Sequence, residues 1–254
     1  MTVQFLRFHE IAETNHRILN PFSKKQYKLL GKLCELKEGT SILDLACGKG
    51  EMLATWSKKH GITGTGVDIS DVFLDAANDR AKELGVNEKV TFENADAGQY
   101  PQESHQFDIV SCIGATWIGG GFAGTVKLMK KALKDEKEGL LLIGEPFWHE
   151  EPTDEVRQAA GEGYEGDLFV TLAEMPQRFE ECGLQLIEMV IANIDGWDRY
   201  EAPQWASIYK WLQENPDDPD ADEMTNWIDN NQKVYLQHLR RYFGWGVFVL
   251  KVKS

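Results

Sequence analysis

One glycine-containing loop constrains the fold of this chain more than any other feature of the sequence. Residues 41–50 read Ser-Ile-Leu-Asp-Leu-Ala-Cys-Gly-Lys-Gly, so an apolar run leads through Asp44 into a turn that contains Gly48 and Gly50. A helical pattern begins directly afterwards at Glu51. A strand, a glycine loop and a helix in this order let the backbone approach a nucleotide-like ligand without an obstructing side chain. We therefore expect a ligand at the end of the first strand.

The next three strand-like segments also end in an acid or a glycine: residues 62–68, 90–96 and 107–114. Ligands of open α/β sheets bind outside the carboxyl ends of the strands, so these ends would lie around the same ligand. Asp68 follows Gly50 by 18 residues. An acid at about 20 residues from such a loop can accept hydrogen bonds from both hydroxyls of a ribose.

Strand and helix patterns alternate along the rest of the chain. Further strand-like segments occupy residues 139–144, 184–194 and 244–252. Helical patterns occupy residues 24–36, 52–59, 70–84, 122–133 and 171–182. Ser70 is predicted to cap the third of these helices and Gly85 to end it. Thr171 and Glu174 form a capping-box pattern at the start of the last one. The alternation predicts a doubly wound α/β fold with a mostly parallel sheet.

Four ordered segments resemble the motifs of class I S-adenosylmethionine (SAM) dependent methyltransferases. They are residues 44–50, 66–70, 94–97 and 107–110. The resemblance covers about residues 40–145 and the last strand, and it is specific for the superfamily rather than for a substrate. The chain looks broadly like the bacterial methyltransferases of the quinone-biosynthesis type. The resemblance implies a Rossmann-like, seven-stranded sheet that is mostly parallel, with an antiparallel last strand.

The resemblance also implies a cofactor, SAM, and the residues that hold it. Gly48 and Gly50 would pass against its methionine end, and Asp68 would hold the ribose hydroxyls. Ile69 would lie on the adenine, and Asp96 would accept a hydrogen bond from the adenine amino group. The implied cofactor contacts together are Asp44, Ala46, Gly48, Gly50, Asp68, Ile69, Asp96, Ala97 and Ile113. Ala46 stands where many family members carry glycine, and its methyl group narrows the loop.

A dinucleotide is the rival cofactor, and two residues count against it. The dinucleotide fingerprint needs a third small residue after the two glycines, but Leu53 stands at that position. The fingerprint also seats a pyrophosphate at the helix N-terminus, where the Glu51 carboxylate would repel it. SAM has no phosphate. The sequence therefore favours a methyltransferase over an NAD-dependent oxidoreductase. A SAM-binding sensor or scaffold without transferase activity stays open as the alternative.

Two additions to the Rossmann-like core are predicted. The core spans residues 38–195, with its last strand at 244–254. A helical arm at residues 1–37 precedes it and either folds over the cofactor or packs as a plain helix. Residues 196–243 form an insert before the last strand. This insert either covers the substrate as a lid or packs against the edge of the sheet.

Two helices are predicted in the insert, at residues 205–214 and 221–242, joined by the acidic linker 215–220. The linker contains Pro216 and Pro219, and its flexibility argues against a preorganised cation cage. We interpret it as a solvated turn with a helix N-cap. No metal site is predicted.

Charge and composition restrict the partners of the protein. The 254 residues include 27 Lys and Arg against 41 Asp and Glu, a formal charge of −14 that would repel nucleic acid and anionic membranes. The apolar runs are strand-sized, and no secretory signal pattern is visible. The cysteines are scattered without a C-x-x-C pair, as reduced thiols are: Cys34, Cys47, Cys112 and Cys182. We expect a cytoplasmic enzyme with a small-molecule substrate and with neither a nucleic acid nor a membrane as partner.

Two segments flank the expected position of the transferred methyl group. Residues 144–149 leave the fifth strand and residues 195–200 leave the sixth. The residues expected to line the substrate pocket are Trp117, Glu145, Trp148, Trp197 and Tyr200. Glu145 or His149 could remove a proton from the accepting atom. The alternatives are a helix N-cap for Glu145, an exposed His149 and core packing for the aromatic residues. Because the SAM sulfonium is itself reactive, a catalytic residue is not required.

Overall fold

A computed structural model describes residues 3–100, 105–160 and 169–253 of the chain, and these residues contain a seven-stranded sheet. Its strands are β1 (Ser41–Leu45), β2 (Thr63–Asp68), β3 (Val90–Asn94), β4 (Ile109–Ile113), β5 (Leu140–Trp148), β6 (Leu184–Ile191) and β7 (Phe243–Val252). The spatial order is β3-β2-β1-β4-β5-β7-β6. Neighbouring strands are parallel except for β7, which is antiparallel to both β5 and β6. The predicted Rossmann-like sheet with an antiparallel last strand is confirmed.

Helices cover both faces of this sheet, and others pack away from it. The helices of the described residues are α1 (Val3–Ala12), α2 (Lys24–Leu33), α3 (Glu51–His60), α4 (Asp71–Leu84), α5 (Phe122–Ala132), α6 (Asp154–Ala160), α7 (Met175–Glu181), α8 (Ile194–Glu214), α9 (Ala221–Val234) and α10 (Arg240–Tyr242), with a π-helical turn at Tyr235–Leu239. One core lies between α2, α3 and one face of the sheet. A second core lies between α5, α7 and the other face. No helix in the described part of the chain is long and apolar enough to cross a membrane.

Two predicted helix caps have different outcomes. The Ser70 hydroxyl accepts a hydrogen bond from the Phe73 amide at the start of α4, and Gly85 ends that helix with φ of 67°, as predicted. The capping box at Thr171 is wrong as a helix start. Glu174 does accept hydrogen bonds from the Thr171 amide and hydroxyl, but α7 begins only at Met175. Pro176 explains the delay, since proline is tolerated in the first turn of a helix and not in its interior.

The two loops predicted around the methyl position are wrong. Residues 144–148 remain in β5, where Trp148 pairs with Phe243 of β7, so Glu145 is a strand residue and not a helix N-cap. Residues 195–200 belong to α8, which begins at Ile194 and not at residue 205. Its N-cap is Asn193, whose side chain accepts a hydrogen bond from the Gly196 amide. The insert between β6 and β7 therefore consists of helix from its beginning.

The insert packs on two different surfaces. Its ends contribute Trp197 and Tyr235 to the core between α2, α3 and the sheet. Its middle packs against the N-terminal arm, where residues of α1, α8 and α9 form a third hydrophobic cluster: Phe8, Ala12, Ile208, Met224 and Ile228. We call α1, α8 and α9 the helical cap.

The acidic linker between α8 and α9 is a turn with exposed residues at 216, 217 and 219, as predicted, but two of its carboxylates are paired. The Arg7 guanidinium on α1 forms ion pairs with both Asp218 and Asp220. Asp220 stands at the N-cap position of α9, but its side chain makes no capping hydrogen bond. The carboxylates of the linker thus fasten α1 to the rest of the helical cap.

Candidate active site

The glycine loop between β1 and α3 turns through three residues with positive φ. Gly48 and Gly50 have φ of 53° and 63°, and Ala46 has φ of 59°. Glycine adopts this region freely, whereas a residue with a Cβ is strained there. A Cβ at Gly48 would lie 2.7 Å from Leu19 Cδ1. The N-terminal arm therefore lies directly on the loop and depends on the missing side chain.

Asp68 ends β2 beside this loop. Its Oδ2 accepts a hydrogen bond of 2.8 Å from the Gly48 amide, and its Oδ1 accepts one of 2.9 Å from the Ser70 amide. An ionised carboxylate has about four acceptor sites, so each oxygen retains one. Asp68 can therefore hold the glycine loop and still accept two ribose hydroxyls.

Asp44 is buried at the end of β1. Its Oδ1 accepts a hydrogen bond of 2.7 Å from the Ser111 hydroxyl on β4. Burial raises the pKa of Asp44 to about 7, and the nearby Asp68 charge adds to this effect. A cationic group beside these two carboxylates would favour the ionised form of Asp44. The methionine end of SAM carries such a group.

The remaining predicted cofactor residues lie at the ends of β2, β3 and β4. Ile69 exposes 52% of its surface directly after β2, as an adenine platform requires. Asp96 follows β3 and accepts a hydrogen bond of 2.9 Å from the Gly98 amide, which leaves acceptor sites on its carboxylate. Ala97 is buried beside it, and Ile113 ends β4. The nine predicted residues therefore occur in spatial order along one edge of the sheet.

The two arguments against a dinucleotide have different outcomes. Arg80 donates hydrogen bonds of 2.8 and 3.0 Å to the two carboxylate oxygens of Glu51, so the Glu51 charge is compensated and the repulsion argument is weak. The packing argument holds. Leu53 is fully buried, and a Cβ at Gly64 on β2 would lie 2.8 Å from its Cδ2. Leu53 thus takes the space that the close packing of a dinucleotide fold requires.

Three of the five predicted pocket residues meet in one aromatic row, and two of them, Trp148 and Trp197, are buried core residues, as the core-packing alternative predicted. The Trp148 ring lies 4.9 Å from the Phe243 ring, and Phe243 lies 5.6 Å from Trp197. Trp197 lies 6.1 Å from Tyr200, and Tyr200 lies 5.5 Å from His16 of the N-terminal arm. The row therefore connects the carboxyl end of β5 to the arm.

The other pocket and catalytic candidates lie elsewhere. Trp117 is 56% exposed in the loop after β4. Glu145 is buried on the sheet face that α5 and α7 cover, where the Thr116 hydroxyl donates to it and Arg178 Nη1 lies 3.9 Å away. Burial raises the pKa of Glu145 to about 7. His149 is exposed, with its ring edge-on to Phe147 at 5.2 Å. The geometry does not join Glu145 to the aromatic row, whereas His149 lines a cavity together with Trp197 and Phe243 of that row.

Lys49 is a site residue that sequence reasoning missed. Its Nζ donates hydrogen bonds to the carbonyl oxygens of Glu13 at 2.7 Å, Thr14 at 3.2 Å and His16 at 2.8 Å. Burial lowers the pKa of Lys49, and the Glu13 charge opposes this. The glycine loop thereby binds the arm just after α1. The only local signal in the sequence is a lysine between two loop glycines.

Glu13, His16 and Glu201 form a buried polar cluster that was also missed. Glu13 is fully buried, and its Oε2 lies 2.7 Å from His16 Nδ1. No described group donates a hydrogen bond to Glu13 Oε1. Glu201 on α8 is buried as well, and this burial, with the charge of Glu13, raises its pKa to about 7. Two carboxyl groups therefore share this space between the arm and α8.

Comparison with known proteins adds three close likenesses. A family model described as "Methyltransferase domain" matches residues 42–136. A SAM-dependent methyltransferase of Geobacter sulfurreducens, crystallised with S-adenosyl-L-homocysteine (SAH), is 42% identical, with a TM-score of 0.91 over 97% of this chain and 98% of its own. A second one, from Thiobacillus denitrificans and also with SAH, is 40% identical, with a TM-score of 0.90 over 100% and 99% of the two chains.

Sequence relatives span both near and distant branches. Protein YjhP of Escherichia coli (strain K12) is 46% identical over 245 residues, which are 96% of this chain and 97% of that protein. The likeness to the quinone-biosynthesis type is distant. The demethylmenaquinone methyltransferase of Staphylococcus aureus (strain JH9) is 31% identical over 110 residues, which are 41% of this chain and 44% of that protein.

Proposed function

The chain belongs to the class I SAM-dependent methyltransferases, and we propose that it methylates a small molecule held beneath the helical cap. SAM supplies a reactive sulfonium, so the protein needs to bind, orient and shield the reactants. The observation that most supports the proposal is the set of hydrogen bonds that join the glycine loop to the helical cap. Lys49 joins the loop to the end of α1, and α1 shares a hydrophobic core with α8 and α9.

The nine residues along the sheet edge are proposed to hold the cofactor. The glycine loop would receive the methionine end, with Asp44 near its amino group. Asp68 would accept the ribose hydroxyls through its two remaining acceptor sites. Ile69 and Asp96 would contact the adenine. The free acceptor sites of Asp68 and the exposure of Ile69 support this arrangement.

The acceptor is proposed to lie along the aromatic row, between β5 and the arm. Trp148 and Trp197 are buried in the core between α2, α3 and the sheet, so the half-buried Tyr200 at the end of the row would offer the aromatic surface for the acceptor. The row ends at His16, close to the carbonyl groups that Lys49 binds. This proximity supports an acceptor position beside the loop that would hold the methyl donor. Trp117 and Glu145 support the neighbouring loop in this proposal and do not contact the acceptor.

The test is a screen of small metabolites for SAH release from SAM. We expect SAH release with a subset of acceptors, and micromolar SAM or SAH binding that raises the melting temperature by mass action. NAD should neither bind nor stabilise. SAM binding without SAH release from any acceptor would favour the sensor or scaffold alternative. Binding of NAD and not of SAM would contradict the proposal.

The cap is tested with point variants rather than with a deletion, because Trp197 and Tyr235 of the insert also belong to the sheet core. Ile208→Ala opens a cavity in the fully buried cap core. We expect it to reduce turnover at least about tenfold while SAH affinity stays within about threefold, since water exclusion is lost. Ile187→Ala on β6 is the control, because Ile187 is largely exposed. Unchanged turnover by Ile208→Ala would contradict a cap that shields the reaction.

A further inference from the structure

We propose that Glu13 and Glu201 bind a positively charged nitrogen of the methyl acceptor, so that the substrates are cationic amines. This inference rests on the proposed function, since it assigns the charge of the molecule held under the helical cap. It concerns recognition: a protonated nitrogen has no lone pair with which to attack a methyl group. The ammonium group would anchor the acceptor. The methyl group would go to another atom of the acceptor, or to the same nitrogen after that nitrogen has lost its proton.

The first argument is an unpaired acceptor in a fully buried place. Glu13 Oε2 has an ion-pair partner in His16 Nδ1, but no described group donates to Glu13 Oε1. Buried polar atoms are almost always paired, because loss of hydration without a new hydrogen bond is costly. An ammonium group brings three donors in a compact volume. It would pair Glu13 Oε1 and retain donors for Glu201.

The second argument is the composition of the space around that atom. The aromatic row from Trp148 to Tyr200 leads to His16 and thus to Glu13. Aromatic faces attract cations, with the attraction increasing as water is removed. Glu201 follows Tyr200 directly and lies one helical turn after Trp197 on α8. An aromatic wall that ends in two carboxyl groups is complementary to an organic cation.

The third argument is that the cluster can adjust its charge. The charge of Glu13 raises the pKa of Glu201 and that of His16 lowers it. The charge of Glu201 in turn raises the pKa of Tyr235 in the π-helical turn. Besides His16, Lys49 of the glycine loop brings a positive charge close to Glu13. With a pKa of about 7, Glu201 is partly protonated near neutral pH, and a cation beside it would favour ionisation. Binding of an amine should therefore release protons from the protein.

Two molecules could bring a positively charged nitrogen to Glu13 and Glu201: the acceptor, or SAM through its α-ammonium group. We favour the acceptor. Lys49 brings its own positive charge to the side of the cluster that faces the glycine loop. Like charges there would oppose the ammonium group of the methionine end. Glu201 belongs to α8, on the side of the aromatic row.

The test uses matched amines and alcohols on SAH-loaded protein. SAH is first titrated into the wild type, because absence of SAH binding would contradict the proposed function itself. The probes are 2-phenylethylamine and tryptamine, each beside the alcohol of the same skeleton. Calorimetry at pH 8 compares the wild type, Glu201→Gln, Glu13→Gln and the control Asp195→Asn. Asp195 is an exposed residue in the first turn of the same helix.

We expect at least one amine to bind the wild type and Asp195→Asn at least about tenfold more tightly than its alcohol, and Glu201→Gln to lose most of this preference. The preference should increase from pH 6 to pH 8 in the wild type, as Glu201 ionises, and much less in Glu201→Gln. Titrations at pH 7, where Glu201 is partly protonated, in two buffers of different ionisation enthalpy should show proton release.

Three results would overturn the inference while leaving the methyltransferase assignment intact. The first is that neither amine binds more tightly than its alcohol. The second is an amine preference that Glu201→Gln and Glu13→Gln leave unchanged in variants with normal SAH affinity. The third is that these variants weaken SAH binding but not binding of 5′-methylthioadenosine, which lacks the amino acid. That result would assign the carboxylates to the methionine end of the cofactor.

Discussion

The Nε2 atom of His16 lies 3.2 Å from the carbonyl oxygen of Arg199, which Pro203 leaves without a helical donor. In an α-helix the amide of residue 203 would bind this carbonyl, but proline has no N–H. His16 of the N-terminal arm replaces the missing donor. Its other ring nitrogen, Nδ1, lies 2.7 Å from Glu13 Oε2. Both ring nitrogens therefore act as donors when the imidazole is protonated.

This relationship predicts an energetic coupling between His16 and Pro203. His16→Ala should lower the free energy of unfolding by about 1–3 kcal/mol, because the buried Glu13 carboxylate loses its ion-pair partner and the Arg199 carbonyl loses its donor. Pro203→Ala restores the helical amide, so the cost of His16→Ala should be smaller by about 1 kcal/mol in that background. Urea unfolding of the four proteins in a double-mutant cycle measures this. Additive effects would show that His16 does not support α8 at the proline.

The same histidine predicts a pH dependence of stability. Burial by itself lowers the pKa of His16, but the hydrogen bond and charge of Glu13 outweigh it and raise the pKa above its ordinary value. A raised pKa in the folded state means that the stabilisation is fully present below about pH 6.5 and is lost as the pH rises through the folded pKa.

The measurement is the difference in free energy of unfolding between the wild type and His16→Ala from pH 5.5 to 9. This difference should decrease with increasing pH. Taking the difference removes most of the contribution of other titrating groups. A difference that is constant or grows with pH would contradict the protonated, doubly bonded state.

Lys49→Met should detach the N-terminal arm from the glycine loop. The substitution keeps most of the apolar length of the side chain but removes three hydrogen bonds to arm carbonyls. We expect a loss of about 2 kcal/mol in the free energy of unfolding and weaker SAH binding, because charge-assisted bonds are stronger than neutral ones. Lys59→Met, at an exposed position near the end of α3, is the control. Equal effects of the two variants would count against the fastening role.

Position 46 tests the backbone strain of the loop. Alanine at φ of 59° is strained by roughly 1–2 kcal/mol, and Ala46→Gly removes this strain. Glycine also gives the unfolded chain more conformational freedom, which offsets about 0.5–1 kcal/mol of that stabilisation. Ala46→Gly should therefore be neutral to slightly stabilising in thermal unfolding. Ala46→Val should destabilise by about 2 kcal/mol, since a β-branched residue tolerates positive φ poorly. A valine variant as stable as the glycine variant would contradict the strained turn.

Local sequence signals predicted the sheet and the cofactor edge well, because each signal depends on neighbours in the chain. The run from Ser41 to Gly50 contains its own strand, turn and helix start, and Asp68 follows at a spacing that one crossover sets. These elements appear where they were predicted. The cofactor role of their residues stays a prediction.

The cap was less predictable, because its structure depends on contacts between distant parts of the chain. A helix was predicted from residue 205, but α8 begins at Ile194 and continues through Pro203, where His16 supplies the missing donor across 183 residues. The partners of Lys49 are 33 to 36 residues away in the sequence. The charges of Asp218 and Asp220 predicted a solvated linker, whereas in the structure both carboxylates form ion pairs with Arg7, which precedes Asp218 by 211 residues. No periodicity or spacing rule contains these pairings.

A calorimetric titration of SAH into three proteins tests the central claim most directly: the wild type, Asp68→Asn and Asp79→Asn. Asp68 has the predicted ribose contact, and Asn keeps its shape while removing the charge that strengthens hydrogen bonds from hydroxyls. Asp79 is an exposed acid on α4 and serves as the control. We predict one site with micromolar affinity in the wild type and in Asp79→Asn, and binding at least about tenfold weaker in Asp68→Asn. Equal affinity in all three proteins would contradict the placement of the cofactor along this edge of the sheet.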